Sequence, residues 1–260
     1  MISFLFYKTP DHLLIINNFA FKSFRMTIIL IIETSTEVCS VALAKEGQIL
    51  DLIETKEGQN HARLVTVFAQ TLMQRNEVKT SDLDAVAVSK GPGSYTGLRI
   101  GVSTAKGICY ASKIPLIAIG TLEAMSMHVV VNRIKYNIPE NLPTMFCPMI
   151  DARRMEVYSM LLDQQRNVIK PITANIIEDS FLKYELNDNQ VVFFGNGAEK
   201  CKKVLNSKNA IFIDNIEASA QYLTELAWNA YVKNQFEDLA YFEPFYLKDF
   251  VATVSKKNIL

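Results

Sequence analysis

Thr27-Ile28-Ile29-Leu30-Ile31-Ile32-Glu33-Thr34-Ser35-Thr36-Glu37-Val38-Cys39-Ser40-Val41-Ala42-Leu43-Ala44 is the stretch that sets the fold. Residues 27–33 are apolar and β-branched without alternation, as in a central strand buried on both faces. A polar turn, 34–37, leads into a second apolar run at 38–44. Gly47 then closes a tight turn into residues 49–54. Three strands with links this short form a meander and are antiparallel. His61–Arg75 follows with Leu64, Val65, Phe68, Leu72 and Met73 at helical spacing. A strand is predicted at 83–89, a helix at 95–111, a strand at 115–119 and a helix from Leu122 capped by Thr121.

The resulting order, β-β-β-α-β-α-β-α, implies a mixed sheet with helices packed on it. The second half repeats the theme. Strands are predicted at 145–150, 156–162, 190–194 and 211–213, with a short helix at 198–205 and a longer one at 218–233. Residues 132–143 carry two prolines and no apolar period, which makes them the linker between a first α/β lobe at 26–131 and a second at 144–260.

The 260 residues balance 27 Lys and Arg against 27 Asp and Glu, with 49% hydrophobic residues. That excludes a disordered chain and argues against a free-standing nucleic-acid binder. Residues 1–25 differ from the rest: several Phe interrupt polar residues, and Asn17 and Asn18 break the apolar stretch. They fit neither a signal peptide nor a membrane span. They read as a non-native or disordered leader ahead of a start at Met26, with an added edge strand or partner-binding arm as the alternative. Without it, 24 basic face 26 acidic residues. Cys39, Cys109, Cys147 and Cys201 are widely spaced, as expected for thiols of a cytoplasmic protein rather than a disulfide framework. His12, His61 and His128 show no metal-ligand spacing.

The strongest local motif is Lys90-Gly91-Pro92-Gly93-Ser94-Tyr95-Thr96-Gly97-Leu98-Arg99, between a strand and a helix. Ser94 suits an N-cap. The turn is either a tight, capped connection or an anion site at a helix N-terminus, with Gly91, Gly93 and Ser94 as candidates. Glu33, Thr34 and Ser35 are a second weak candidate for phosphate or nucleotide contact, or an ordinary hydrogen-bonded turn. Gly97, Gly101 and Ala105 place small residues along one helix face. Two glycines inside a helix cost about 1 kcal/mol each relative to alanine, so close contact is expected there, with the sheet beneath or with a second protein. Asp151 ends an apolar strand beside Arg153 and Arg154; a metal or general-base role and an ion pair are both open. His61 lacks the second histidine four residues on, where Val65 stands.

These segments resemble the bacterial TsaB (YeaZ) family: residues 32–44, Gly-Pro-Gly-Ser-Tyr-Thr-Gly-Leu-Arg at 91–99, Ile-Asp-Ala-Arg at 150–153, Phe-Gly-Asn-Gly at 194–197 and the closing Glu243-Pro244-Phe245-Tyr246-Leu247-Lys248. The resemblance runs from residue 26 to about 250, with Asp151 and Arg153 as signature residues. It implies a two-lobed actin/Hsp70/sugar-kinase-like fold. It implies a non-catalytic role in making threonylcarbamoyladenosine next to the tRNA anticodon, by docking on and activating the paralogue TsaD.

It also implies a heterodimer through the first-lobe helices, or a homodimer when alone, with a TsaE-type ATPase joining. ATP, metal and most tRNA contact would fall to the partners, with no cofactor, metal or catalytic residue of this chain's own and no membrane contact. His61, Leu64, Val65, Phe68, Leu72, Gly97, Gly101 and Ala105 become the expected interface. The alternative is an independent sugar-kinase-like ATPase or a glycoprotease-like metallopeptidase. The paralogue's H-x-x-x-H pair, reduced here to His61 and Val65, speaks against the latter. Glu33, where the family often has Asp, weakens a nucleotide role at that turn.

Overall fold

The computed structural model describes residues 26–56 and 60–248; the leader at 1–25 lies outside them. Two five-stranded mixed sheets carry the fold. In the first, β1 (Ile28–Glu33), β2 (Cys39–Lys45) and β3 (Gln48–Thr55) form the expected antiparallel meander. Glu46 and Gly47 both have positive φ, as a two-residue hairpin turn requires. A side chain at Gly47 would collide with Trp228. Helix α1 (His61–Arg75) leads to β4 (Ala85–Gly91), parallel to β1, and α2 (Tyr95–Ser112) to β5 (Leu116–Gly120), parallel to β4. The strand order is β3-β2-β1-β4-β5.

The apolar run of β1 is unbroken because both of its faces are covered. Leu30 and Ile32 pack with Val65, Leu72, Val102 and Ala105 beneath α1 and α2. Ile29 and Ile31 pack on the other face against Leu223 and Ala227.

Helix α3 (Thr121–Val131) then leaves the first sheet. Gly120, not Thr121, occupies its N-cap position, and the Thr121 hydroxyl is buried without a hydrogen bond. The second sheet comprises β6 (Thr144–Asp151), β7 (Glu156–Leu162), β8 (Val168–Ile176), β9 (Gln190–Phe194) and β10 (Ala210–Ile213), with one short helix α4 (Glu185–Asp188) before β9. Its order, β8-β7-β6-β9-β10, repeats that of the first sheet, with β6 in the place of β1 and β9 in that of β4. This duplication gives two lobes of the same mixed-sheet topology flanked by helices, as the resemblance implies. The helix expected at 198–205 is reduced to a single 3-10 turn, Glu199–Cys201, followed by turns.

The chain crosses between lobes more than a cut at 132–143 implies. Helix α5 (Ala220–Val232) lies on the first sheet, its Ala220, Leu223, Ala227 and Ala230 completing that core. Leu122, Met125 and Val129 of α3 instead join the core of the second sheet with Phe146, Val192 and Phe194. Helices α3 and α5 thus lie between the sheets. His128 of α3 stacks on Tyr222 of α5 at 3.9 Å, and its Nε2 is 2.7 Å from the Tyr136 hydroxyl. Burial pushes this imidazole down to about 4, with Lys135 adding to the shift.

Candidate functional site

The β1–β2 turn and the glycine-rich turn after β4 meet at the same sheet edge, and each fills the other. Glu33, Thr34 and Ser35 are buried. The Ser94 amide donates to the Ser35 carbonyl at 2.6 Å, and the Thr34 hydroxyl donates to the Gly97 carbonyl at 2.8 Å. Ser94 caps α2 as expected, its hydroxyl accepting the Gly97 amide at 3.2 Å. The Leu98 amide donates to the Ser94 carbonyl. Two of the amides at this turn, those of Ser94 and Gly97, are therefore engaged within the chain.

The glycines explain why the turns can approach. A β-carbon at Gly93 would stand 2.2 Å from the Ser35 carbonyl oxygen, one at Gly97 2.1 Å from that of Thr34, and one at Gly101 2.3 Å from Thr34 Oγ1. No Cβ tolerates such distances. This corrects the expected interface: the contact that the small-residue stripe makes is with Thr34 of the same chain. Gly97, Gly101, Ala105, Val65 and Leu72 are buried in the first lobe and offer nothing to a partner. His61, Leu64 and Phe68 are half-buried. The exposed surface of the same helices includes Ala62, Arg63, Thr66 and Val67 of α1 and Arg99, Ser103, Gly107 and Tyr110 of α2. Gly107 has no atom within 4 Å of its missing β-carbon.

Glu33 was visible as a candidate from sequence, but its support was not. Its Oε1 accepts the Ser35 amide at 2.6 Å and the Ser89 hydroxyl at 2.8 Å, while Oε2 has no partner. Burial pushes the carboxyl above its ordinary 4.5, and the hydrogen bonds from Ser35 and Ser89 offset only part of that. The folded state therefore binds this proton more tightly than the unfolded chain. Its contribution to stability is complete below pH 4.5 and is lost as pH rises through the raised value. Glu33→Gln is expected to remove this slope. Melting temperatures measured across that range should show the variant gaining on the wild type as pH rises, and parallel profiles would refute the assignment.

The second lobe repeats the device. Gly195 follows β9 as Gly91 ends β4, and their φ values are +101° and +102°. A β-carbon at Gly195 would lie 2.2 Å from the Met149 carbonyl oxygen, and one at Gly197 2.9 Å from the Ile150 carbonyl carbon. Asn196 Oδ1 accepts the Asp151 amide at 3.0 Å. Asp151 itself is exposed. It accepts the Arg153 amide at 2.8 Å and pairs with Lys200, rather than with the guanidinium of Arg153 or Arg154. Arg153 and Arg154 both have left-handed backbone conformations. Asn196 and Lys200 were not singled out as partners of Asp151, because 45 or more residues separate them from it. Among the described residues, no group of three or more His, Cys, Asp and Glu side chains could hold a metal, and no helix is long and apolar enough to cross a membrane.

Two lobes of identical strand order, with a glycine turn packed on the turn after β1 in the first and on the end of β6 in the second, define a duplicated two-lobed α/β protein. A family model described as TsaD, tRNA N6-adenosine threonylcarbamoyltransferase, matches residues 53–256. The chain belongs to this family, in its TsaB (YeaZ) branch. It is 27% identical over 180 residues to the tRNA threonylcarbamoyladenosine biosynthesis protein TsaB of Bacillus subtilis, covering 68% of this chain and 74% of that one. It is 26% identical over 230 residues to the protein of that name in Haemophilus influenzae, covering 85% and 93%. The structure of YeaZ from Pseudomonas aeruginosa superimposes with a TM-score of 0.71 at 24% identity, over 85% of this chain and all of that one.

Proposed function

We propose that this chain supports formation of threonylcarbamoyladenosine on tRNA as a subunit without a catalytic centre of its own, docking on a TsaD-type paralogue and activating it. The observation that carries this reading is the mutual packing of residues 33–35 with the turn at 91–97, in which the Ser94 amide and the Gly97 carbonyl bond to the neighbouring turn and the glycines bring the two backbones into contact. The names of the relatives supply the pathway. ATP and metal chemistry belong, on this reading, to the paralogue and to a TsaE-type ATPase. Most of the contact with tRNA phosphates is theirs too.

The surface we assign to pairing is the outer face of α1 and α2, with Val67, Ser103, Gly107 and Tyr110 exposed and His61, Leu64 and Phe68 at its base. The isolated chain would form a homodimer through the same face. Depletion of the chain followed by mass spectrometry of tRNA nucleosides tests the reading, and loss of the modified adenosine is the expected result. Rapid ATP hydrolysis by the purified chain alone would favour the independent-ATPase alternative.

A further inference from the structure

The chain does not end at α5 but runs back along the first lobe. The Glu237 amide donates to the Leu116 carbonyl at 2.9 Å, and Leu239 and Phe242 pack on the first core. Lys106 on α2 donates to the carbonyls of Ala240 and Phe242 at 3.2 and 3.0 Å. The Phe245 amide then donates to the Lys90 carbonyl at 2.7 Å, at the edge where β4 ends. A side chain at Gly91 would meet the Phe245 carbonyl oxygen at 3.1 Å, so the segment covers the glycine turn. Tyr246 packs its ring 4.6 Å from that of Tyr95, and Arg99 donates to its hydroxyl at 3.3 Å while lying over the Tyr95 ring.

Two residues further on, Lys248 reaches the other lobe. It pairs with Glu156, the first residue of β7. It also lies within electrostatic reach of Tyr158, offsetting part of the rise that burial gives that phenol. The two sheets are joined through α3 and α5 between them. At the edges where β4 and β6 end, the returning segment supplies a second join.

We infer that residues 238–248 form a latch: anchored on the first lobe by Phe245 and Tyr246, it holds the mouth between the lobes closed through the Lys248–Glu156 pair. The anchoring side carries several hydrogen bonds and a stacked aromatic pair. The closing side is one partly exposed ion pair, with side-chain exposures of 42% and 23%. Such a pair shifts an equilibrium by no more than about fivefold and is screened by salt. The latch is therefore built to release from the second lobe while staying attached to the first.

The test uses the full chain with spin labels at Gln48→Cys and Lys203→Cys, exposed positions on the two lobes away from the α1–α2 face. The four native cysteines are buried, with thiols pushed upward by burial, so labelling is confined to the introduced pair. Pulsed dipolar spectroscopy should give a narrow distance distribution. Lys248→Glu and Glu156→Lys should each broaden it toward longer distances, with the ratio of closed to open forms falling roughly two- to fivefold. Combining the two substitutions should restore the narrow distribution, because the pair is re-formed with its charges exchanged. Unchanged distributions in both single variants, or broadening that the double variant fails to reverse, would overturn the latch.

Discussion

Gly101→Trp is expected to abolish folding of the first lobe rather than to report on a partner surface. The position reads from sequence as part of a small-residue stripe that meets either the sheet beneath or a second protein, and the family resemblance points to the second. In the structure it faces Thr34, whose hydroxyl oxygen stands 2.3 Å from where a β-carbon would be. Gly97 is tighter still, because the obstacle there is backbone: the Thr34 carbonyl oxygen at 2.1 Å. Helix α2 would have to lift off the sheet to admit an indole, which would expose Val102, Ala105 and Cys109 of the first core. Overpacking usually costs about 1–3 kcal/mol, and a clash that displaces a helix falls in the tail above about 4 kcal/mol. That is comparable to the whole stability of many domains. Circular dichroism and denaturant titration of Gly97→Val and Gly101→Trp check this. A folded Gly101→Trp protein of wild-type stability would show that the helix does not rest on the Thr34 turn.

Gly107→Trp is the complementary case. It lies on the same helix but faces open space. A glycine in a helix interior costs about 1 kcal/mol relative to alanine, so the substitution leaves stability unchanged or slightly raised. If the outer face of α1 and α2 is the pairing surface, an indole at its centre holds the two helix pairs apart and removes the packing that close backbone approach allows. Association with a TsaD-type paralogue is expected to weaken by about a hundredfold or more, the loss of a central contact of hot-spot size. Sedimentation velocity and calorimetric titration measure it directly. Unaltered affinity would move the interface elsewhere on the chain.

The contrast between these two glycines marks how far sequence patterns reach. Periodicity identified a face where something approaches closely. It could not say that the approaching group was Thr34, which lies 63 residues before Gly97. The first sheet was legible because β1 is buried on both faces and its hairpin turn carries Gly47. His61–Arg75, Glu156–Leu162 and Gln190–Phe194 have the bounds that the apolar pattern predicts.

Strand β8 was not anticipated. Its sequence, Val168-Ile169-Lys170-Pro171-Ile172-Thr173-Ala174-Asn175-Ile176, is largely exposed and holds a proline, which an edge strand tolerates and a central strand does not. The seat of α5 was equally hidden, because an apolar helical face does not specify which of two sheets will cover it. At the candidate site, Glu33, Thr34, Ser35 and Ser94 were all identified. What they do depends on Ser89 and on the glycines that bring the two turns together, which only the three-dimensional packing reveals.

The proposed role is tested most directly in the cell. The chain is depleted, complemented with either the wild type or Gly107→Trp, and threonylcarbamoyladenosine in bulk tRNA is quantified by mass spectrometry. The modified nucleoside should fall on depletion, return with the wild type and stay low with Gly107→Trp expressed at the same level. An unchanged level after depletion would contradict a role in the modification.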